Sequence, residues 1–337
     1  MTGRAGAFET EGKPGGLTLP PRIGLIAGRC LAAVPVLFVV SLLTFLIVAV
    51  LPGNAAQQLA GVDATPEQVA RLEAALRLDR PLWERYGEWL TSALSGDLGT
   101  SLASGRPVTA MLGERLPMTL ELTALALLLA TTAAVPCALL AARRPFGIGD
   151  RLGMTLSITG LSLASYVVAP VLILLFAVQL GILPAIGFTP FGDGPYENLR
   201  SLALPVIAVA FPLFGLYTRF LRGDLIEQLG QDYILTAKMK GLGEWRILIR
   251  HALPNSLFGL LTVIGLNLGG LIGGTVVVEQ IFALPGVGQL LLEAIRLRDV
   301  ILVQAIVLLL AVATVVANLA VDILYALLDP RIRYDRR

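Results

Sequence analysis

Charge is what this sequence has least of. Only 15% of its 337 residues are Asp, Glu, Lys or Arg, against about 25% in an ordinary soluble domain. Histidine occurs once, at His251, which excludes a zinc or nickel cage built from this chain's own imidazoles. Cysteine occurs twice, as Cys30 and Cys137, with no C-x-x-C pair and no spacing of a disulfide framework. Both lie in or beside apolar runs and read as small buried hydrophobes. No G-x-x-x-x-G-K-S/T run is present, so the sequence offers no phosphate-cradling loop for ATP. No Ser–His–Asp or paired-carboxylate arrangement is legible. The net charge of +2 gives no electrostatic footprint for nucleic acid. The expectation is a chain with no catalytic machinery, no metal and no bound cofactor.

What the sequence does have is apolar length. Hydrophobic residues make up 55% of it and the mean hydropathy is +0.78. A bilayer core of about 30 Å needs roughly 20 apolar residues in a helix. Six runs meet that length, near residues 30–51, 118–142, 154–180, 199–218, 257–278 and 300–328. The fourth is the shortest and carries Pro205 and Pro212, breaks that membrane helices tolerate when neighbours satisfy the freed carbonyls. The first is too long for a signal-peptide core. The predicted fold is all-α, a polytopic membrane protein of about six transmembrane helices. Its layout is a flexible leader over 1–29, a first transmembrane helix over 30–51 and an external helical segment over 52–117. A five-helix core over 118–328, with a cytoplasmic loop at 219–256, and a tail over 329–337 complete it.

Basic residues set the orientation. Arg143, Arg144 and Arg151 follow the second run, and Arg219, Arg222, Lys238, Lys240, Arg246 and Arg250 lie between the fourth and fifth. The leader and the tail are basic too, whereas residues 181–198 hold Asp193 and Glu197 and no Lys or Arg. Both termini are therefore expected in the cytoplasm.

Two connections are longer than a helix joint needs. In the external one, Thr65-Pro66-Glu67 has the form of a helix N-cap with Pro at the first position. Val69, Leu72, Leu76 and Leu78 make one apolar stripe there, and Trp83, Tyr86, Trp89 and Leu90 another, suited to amphipathic helices at the membrane surface. The cytoplasmic one reads as a helix capped by Asp232, a break at Gly241-Leu242-Gly243, and a second helix from Glu244 that ends at Pro254. In the fifth run, Gly265, Gly269 and Gly273 repeat at four-residue spacing, a pattern for close helix packing. Asn267, Gln304, Gln179 and Asn318 are the polar groups at membrane depth, candidates for a substrate pathway; Asp322 lies nearer the cytoplasmic end.

The stretch Asp232-Tyr233-Ile234-Leu235-Thr236-Ala237-Lys238-Met239-Lys240-Gly241-Leu242, followed by His251-Ala252-Leu253-Pro254-Asn255, resembles the EAA loop of ABC-importer permeases. Leu235, Thr236 and His251 depart from that pattern in the manner of the peptide and nickel branch. Leu51-Pro52-Gly53-Asn54, Gly96-Asp97-Leu98-Gly99, Glu279-Gln280-Ile281-Phe282-Ala283-Leu284-Pro285-Gly286-Val287-Gly288, Arg298-Asp299 and Asp322 through Arg333 are similar to that branch as well. The resemblance, over about residues 30–333, is to the dipeptide/oligopeptide/nickel importer permeases. It implies a type I importer permease fold in a bacterial or archaeal cell membrane. It also implies a homologous second permease, an external substrate-binding protein and two cytoplasmic ATPases that hold the ATP and Mg. Residues 236–246 would form the coupling helix, with Thr236, Ala237, Lys238, Lys240, Gly241, Leu242, Glu244 and Arg246 as its working residues. Ala237 and Gly241 would be small because another backbone approaches, and Glu244 would cap the helix that follows. The implied cargo is a di- or oligopeptide, with nickel chelates, glutathione or oligosaccharides as alternatives. An ion-gradient transporter or a membrane-embedded protease would instead need ionisable groups facing one another at membrane depth, and only isolated ones are visible.

Overall fold

A computed structural model describes residues 21–50, 65–68 and 80–328. Residues 1–20 of the expected 1–29 leader, the stripe Val69, Leu72, Leu76 and Leu78, the tail after residue 328, and the side chains of Cys30 and Asp322 lie outside the described residues, whereas residues 21–29, expected as flexible leader, are the first turns of a helix. Among the described residues the regular secondary structure is helical, with one isolated antiparallel bridge between Thr100 and Pro107. In order, the helices are α1 (Pro21–Val50), α2 (Leu82–Leu94), α3 (Val108–Arg143), α4 (Ile148–Ser162) and α5 (Ser165–Leu172, prolonged by a π-helical stretch Ile173–Gln179). They continue with α6 (Pro195–Leu229), α7 (Asp232–Met239), α8 (Glu244–Ile247, followed by the π-helical turn Leu248–Ala252), α9 (Leu253–Ile281), α10 (Val287–Arg296) and α11 (Val300–Leu328). At Thr65 the predicted N-cap is present as a reciprocal box. Its Oγ1 accepts from the Gln68 amide at 3.4 Å, and the Gln68 Oε1 accepts from the Thr65 amide at 3.0 Å.

Among the described residues, four helices are long and apolar enough to cross a bilayer: α3, α6, the run from α8 into α9, and α11. The pair α4 and α5, bent by 105°, meets the same test when taken together and makes a fifth span if counted as one, whereas the apolar stretch Leu31–Leu46 of α1 falls short of the length expected for the first. The bend corrects the expected straight span at 154–180. Leu163 and Ala164 adopt extended backbone (ψ 112° and 149°) between the two helices, and hydropathy, which measures transfer and not dihedral angles, runs through them unbroken. The fourth run differs in the other direction. At 35 residues, α6 is one of the two longest helices and is continuous through Pro205 and Pro212; its length is about 52 Å at 1.5 Å per residue. Residues 219–229, expected in a loop, are its last turns. Likewise α3 begins at Val108 and passes through Pro117.

The core is built from small residues. On α3, Met118, Leu122, Ala126, Ala130, Ala134, Ala138 and Ala142 recur every fourth position, and none is more than 3% exposed. They form one i±4 ridge packed on α6. Helix α4 crosses α6 at two buried glycines. A Cβ on Gly215 would stand 2.5 Å from the Ser157 carbonyl oxygen, and one on Gly160 2.7 Å from that of Phe211; Ser157 Oγ donates to the Gly215 carbonyl at 2.5 Å. At one end of this crossing Arg222 of α6 donates to both carboxylate oxygens of Asp150 on α4, at 2.5 and 2.6 Å. The Asp150 side chain is 5% exposed, and the Phe146 amide also donates to it at 2.8 Å.

The opposite end is closed by α10, whose Val287, Leu290 and Ala294 pack with Val108 and Leu112 of α3 and Leu302, Ala305 and Ile306 of α11. The fully buried carboxylate of Glu279 fixes it. That group accepts from the amides of Gly288 (2.7 Å) and Gln289 (3.1 Å) at the start of α10, and from the hydroxyls of Thr119 (2.8 Å) and Thr275 (3.3 Å), a carboxylate on a helix N-terminus. A Cβ on Gly286 would collide with this carboxylate, and one on Gly288 with the backbone of Val276. Asp299 caps α11 through the Leu302 amide and holds the 97–107 segment through Ser101 Oγ at 2.5 Å. Helix α2 sets Tyr86 and Trp89 against Phe38 and Phe45 of α1, with Tyr86 Oη 2.8 Å from Ser41 Oγ. Tyr86 and Trp89 of the stripe thus pack on a neighbouring helix, while Trp83 is exposed.

Arg222→Ala strands a buried Asp150 carboxylate and is expected to cost roughly 3–5 kcal/mol. The double variant Asp150→Ala/Arg222→Ala should regain much of it. Thermal unfolding of the detergent-solubilised protein reads both. Gly215→Leu, which forces α4 away from α6, should lower the same midpoint by an amount worth at least about 1–3 kcal/mol.

Candidate functional site: the hairpin between α6 and α9

After α6 the chain turns at Gly230 and Gln231 and enters α7. Gln231 occupies the N-cap position, so Asp232 is the first helical residue; it makes no side-chain cap bond and contributes its charge to the first turn. Ile234 and Ala237 are buried on one face, while Leu235, Thr236, Lys238, Met239 and Lys240 are exposed. Thr236 Oγ1 returns a bond to its own helix, at the Asp232 carbonyl (3.1 Å).

Helix α7 ends in a Schellman motif. The Gly241 amide donates to the Lys238 carbonyl at 2.9 Å and the Leu242 amide to that of Ala237 at 3.3 Å. Gly241 has φ +76°, the left-handed region that glycine enters without a Cβ clash. A Cβ there would meet nothing within 4 Å. Within this chain, then, Gly241 answers to a dihedral angle and not to a close backbone. Ala237 differs again: its smallness is used inside the chain, where it packs in the core.

Residues 236–246 are therefore not one helix. They comprise the end of α7, a tight turn, and the start of α8, which runs through the π-helical turn Leu248–Ala252 directly into α9. Pro254 does not end the second arm as expected, because it falls in the first turn of α9, where a missing N–H is tolerated. The hairpin is correspondingly tight, with α6 and α9 themselves as its arms.

Three spans hold it. Tyr233 Oη donates to Gln228 Oε1 on α6 (2.8 Å) and accepts from Asn255 Nδ2 on α9 (3.1 Å). Glu244, in the first turn of its helix where its charge was expected, also pairs with Arg143 at the end of α3. The Arg143 Nε lies 3.1 Å from Glu244 Oε2, and its guanidinium sits 4.9 Å from the Trp245 ring centroid. Arg143, Trp245, Tyr233 and Asn255 were not picked out as site residues in the sequence, since Arg143 and Glu244 stand 101 positions apart. A cavity of about 390 Å³ is lined by Ala142 and Arg143, by Leu229 of α6, and by Lys238, Glu244 and Leu248. Arg246 is exposed beside them.

The polar groups at membrane depth do not converge. Asn267 Nδ2 donates to the Val263 carbonyl of its own helix at 2.7 Å. Gln304 is 6% exposed, and its amide nitrogen has no partner among the described residues. Gln179 and Asn318 are exposed. Of the glycine series, Gly265 and Gly269 face Val321 and Thr314 of α11, leaving no room for a Cβ. Gly273 has nothing within 4 Å and serves no packing inside this chain, because α9 turns that position outward. No group of three or more His, Cys, Asp or Glu side chains able to hold a metal occurs among the described residues.

Residues 134–334 match the family described as binding-protein-dependent transport system inner membrane component, and residues 23–123 match its N-terminal counterpart. A putative peptide transport system permease protein of Brucella abortus (strain 2308) is 42% identical over 311 residues, 92% of this chain and 99% of that one. The dipeptide transport system permease protein DppB of Alkalihalophilus pseudofirmus is 35% identical, covering 91% of this chain and 98% of its own length. The glutathione transport system permease protein GsiC of Escherichia coli O6:H1 is 34% identical, covering 93% and 99%. An all-helical membrane bundle with its anchored hairpin, matched along nearly its whole length, belongs to the inner-membrane permease components of binding-protein-dependent ABC transport systems.

Proposed function

We propose that this permease carries di- or oligopeptides inward and that the α6–α9 hairpin is where it receives work from cytoplasmic ATPases. The observation that carries the coupling assignment is the hairpin's two-sidedness. Ile234, Ala237, Ile247 and Leu248 face the bundle, while Leu235 (55% exposed) and Met239 (82% exposed) lie one turn apart on the outer face. Thr236, Lys238, Lys240, Gly241, Glu244 and Arg246 share that exposed side, and half-buried Leu242 closes the turn. An exposed apolar pair ringed by Lys238, Lys240 and Arg246 suits a groove with an acidic rim, where the charges steer docking more than they tighten it. The hairpin end is then cytoplasmic, as the basic residues Arg143, Arg144, Arg151, Lys238, Lys240 and Arg250 favour, and both termini face the same side.

In this reading two ATPase subunits hold ATP and Mg2+, a homologous second permease completes the pathway, and an external binding protein delivers the cargo. Peptide cargo rests on the permeases of Brucella and Alkalihalophilus named above; glutathione, itself a tripeptide derivative, is the second reading favoured by the Escherichia relative. Asn267 and Gln304 are the amides proposed to meet a peptide backbone, with Gln179 and Asn318 as weaker candidates.

Gly241→Trp places a side chain at φ +76°, at a backbone cost of about 1–2 kcal/mol, and into the docking surface. The expected outcome is a variant that inserts and assembles its bundle but no longer couples ATP hydrolysis to uptake; normal uptake would remove the assignment. A Met239→Cys probe should react with an impermeant maleimide in inverted vesicles and not in intact cells. Labelling from outside would reverse the orientation. Mass spectrometry of the ligand that co-purifies with the cognate binding protein should return a short peptide.

A further inference from the structure

The hairpin is joined by backbone to α6 and α9 only. Helix α3 has no covalent connection to it, and the 390 Å³ cavity lies between its end and the hairpin. Across that gap Arg143 is the last residue of α3, and it reaches the first two residues of α8, taking the Glu244 carboxylate at 3.1 Å and the Trp245 face at 4.9 Å. We propose that Arg143 is the positioning residue that makes α3 follow the hairpin, with Glu244 and Trp245 as the seat that grips it. This rests on the coupling role proposed above.

The geometry fits transmission better than static support. The side chains of Arg143 and Glu244 are 33% and 67% exposed, and an exposed pair of this kind adds little to stability. What it adds is direction. A planar guanidinium held at its edge by a carboxylate and on its face by an indole resists displacement both along the membrane plane and normal to the ring. Glu244 lies at the N-terminus of the continuous α8–α9 rod, where a carboxylate is favoured, so the seat moves with that rod. The cavity that Arg143 and Glu244 help to line leaves room for the hairpin to move against α3, and close packing there would make the clasp unnecessary. Arg144, next in the chain, has extended backbone (φ −134°, ψ 83°), so α3 ends at the clasp and nothing beyond it repeats the link in helical form.

The test uses the complete transporter, co-purified with its ATPases, carrying Cys30→Ser and Cys137→Ser and spin labels at Leu140→Cys on α3 and Leu257→Cys on α9, both exposed positions. The label-to-label distance is measured by pulsed electron resonance without nucleotide and after trapping with ATP and vanadate. A shift on trapping is expected in the parent, its loss in Arg143→Glu and in Glu244→Arg, and its return in the charge-swapped double variant. Transport per ATP hydrolysed should fall about tenfold in each single variant and recover in the double. The proposal is overturned if Arg143→Glu keeps the shift, if the swap fails to restore it, or if the parent shows none. A parent that does not co-purify with ATPases counts instead against the coupling reading on which the clasp stands.

Discussion

The close approach of α3 and α4 to α6 is the constraint on which the rest of the molecule depends. In a bilayer no hydrophobic force drives helix against helix, since lipid is as apolar as leucine; association needs dense van der Waals contact. The alanine ridge from Ala126 to Ala142 and the Gly160–Gly215 crossing supply it by removing side chains from the contact. The consequence is rigidity at the place where it is needed. Helix α6 carries two prolines and runs unbroken for 35 residues, because it is clasped along its length and Arg222 is fixed to Asp150 near its end. From that supported end hangs the hairpin.

Much of this was legible in the sequence, and the rest was hidden for physical reasons. Apolar length located the crossings because transfer free energy is a sum over residues. It missed the bend at Leu163 and Ala164, which no proline or glycine marks, and it cut α3 and α6 short because hydrogen bonding continues where hydropathy stops. The hairpin was legible through its glycine, and the structure adds a reason internal to the chain, the positive φ at Gly241. The series Gly265, Gly269 and Gly273 drew attention by its spacing, yet only the first two meet α11, since one helix face cannot be told from another without the partner. The alanine ridge was overlooked, alanine being too common to stand out. The seat of Arg143 was illegible in principle, for nothing in one sequence joins positions 143 and 244.

The two ends of the bundle are held by different chemistry. At the α10 end the links are buried: Glu279 has four donors and no exposed surface, and Asp299 bonds Ser101 while capping α11. Breaking such bonds leaves a carboxylate without its donors in a dry interior, which costs far more than the bonds contribute when made. At the hairpin end, the links from the hairpin to its surroundings are exposed: Tyr233 to Gln228 and Asn255, and Glu244 to Arg143. Water replaces these partners at little cost.

That asymmetry orders the possible motions. The Asp150–Arg222 pair, buried and bidentate, makes α4 and α6 one body at the hairpin end, while Glu279 and Thr119 make α3, α9 and α10 one body at the other. A tilt of the hairpin is resisted least where exposed bonds and an open cavity meet, between α3 and the α7–α8 turn. It is resisted most at Glu279, which becomes the fulcrum. Under the proposed coupling role, a small displacement at Lys238 to Arg246 would be amplified over the length of α9 between hairpin and fulcrum. The sequence thus places exposed, expendable bonds at the hairpin and buried ones at the α10 end.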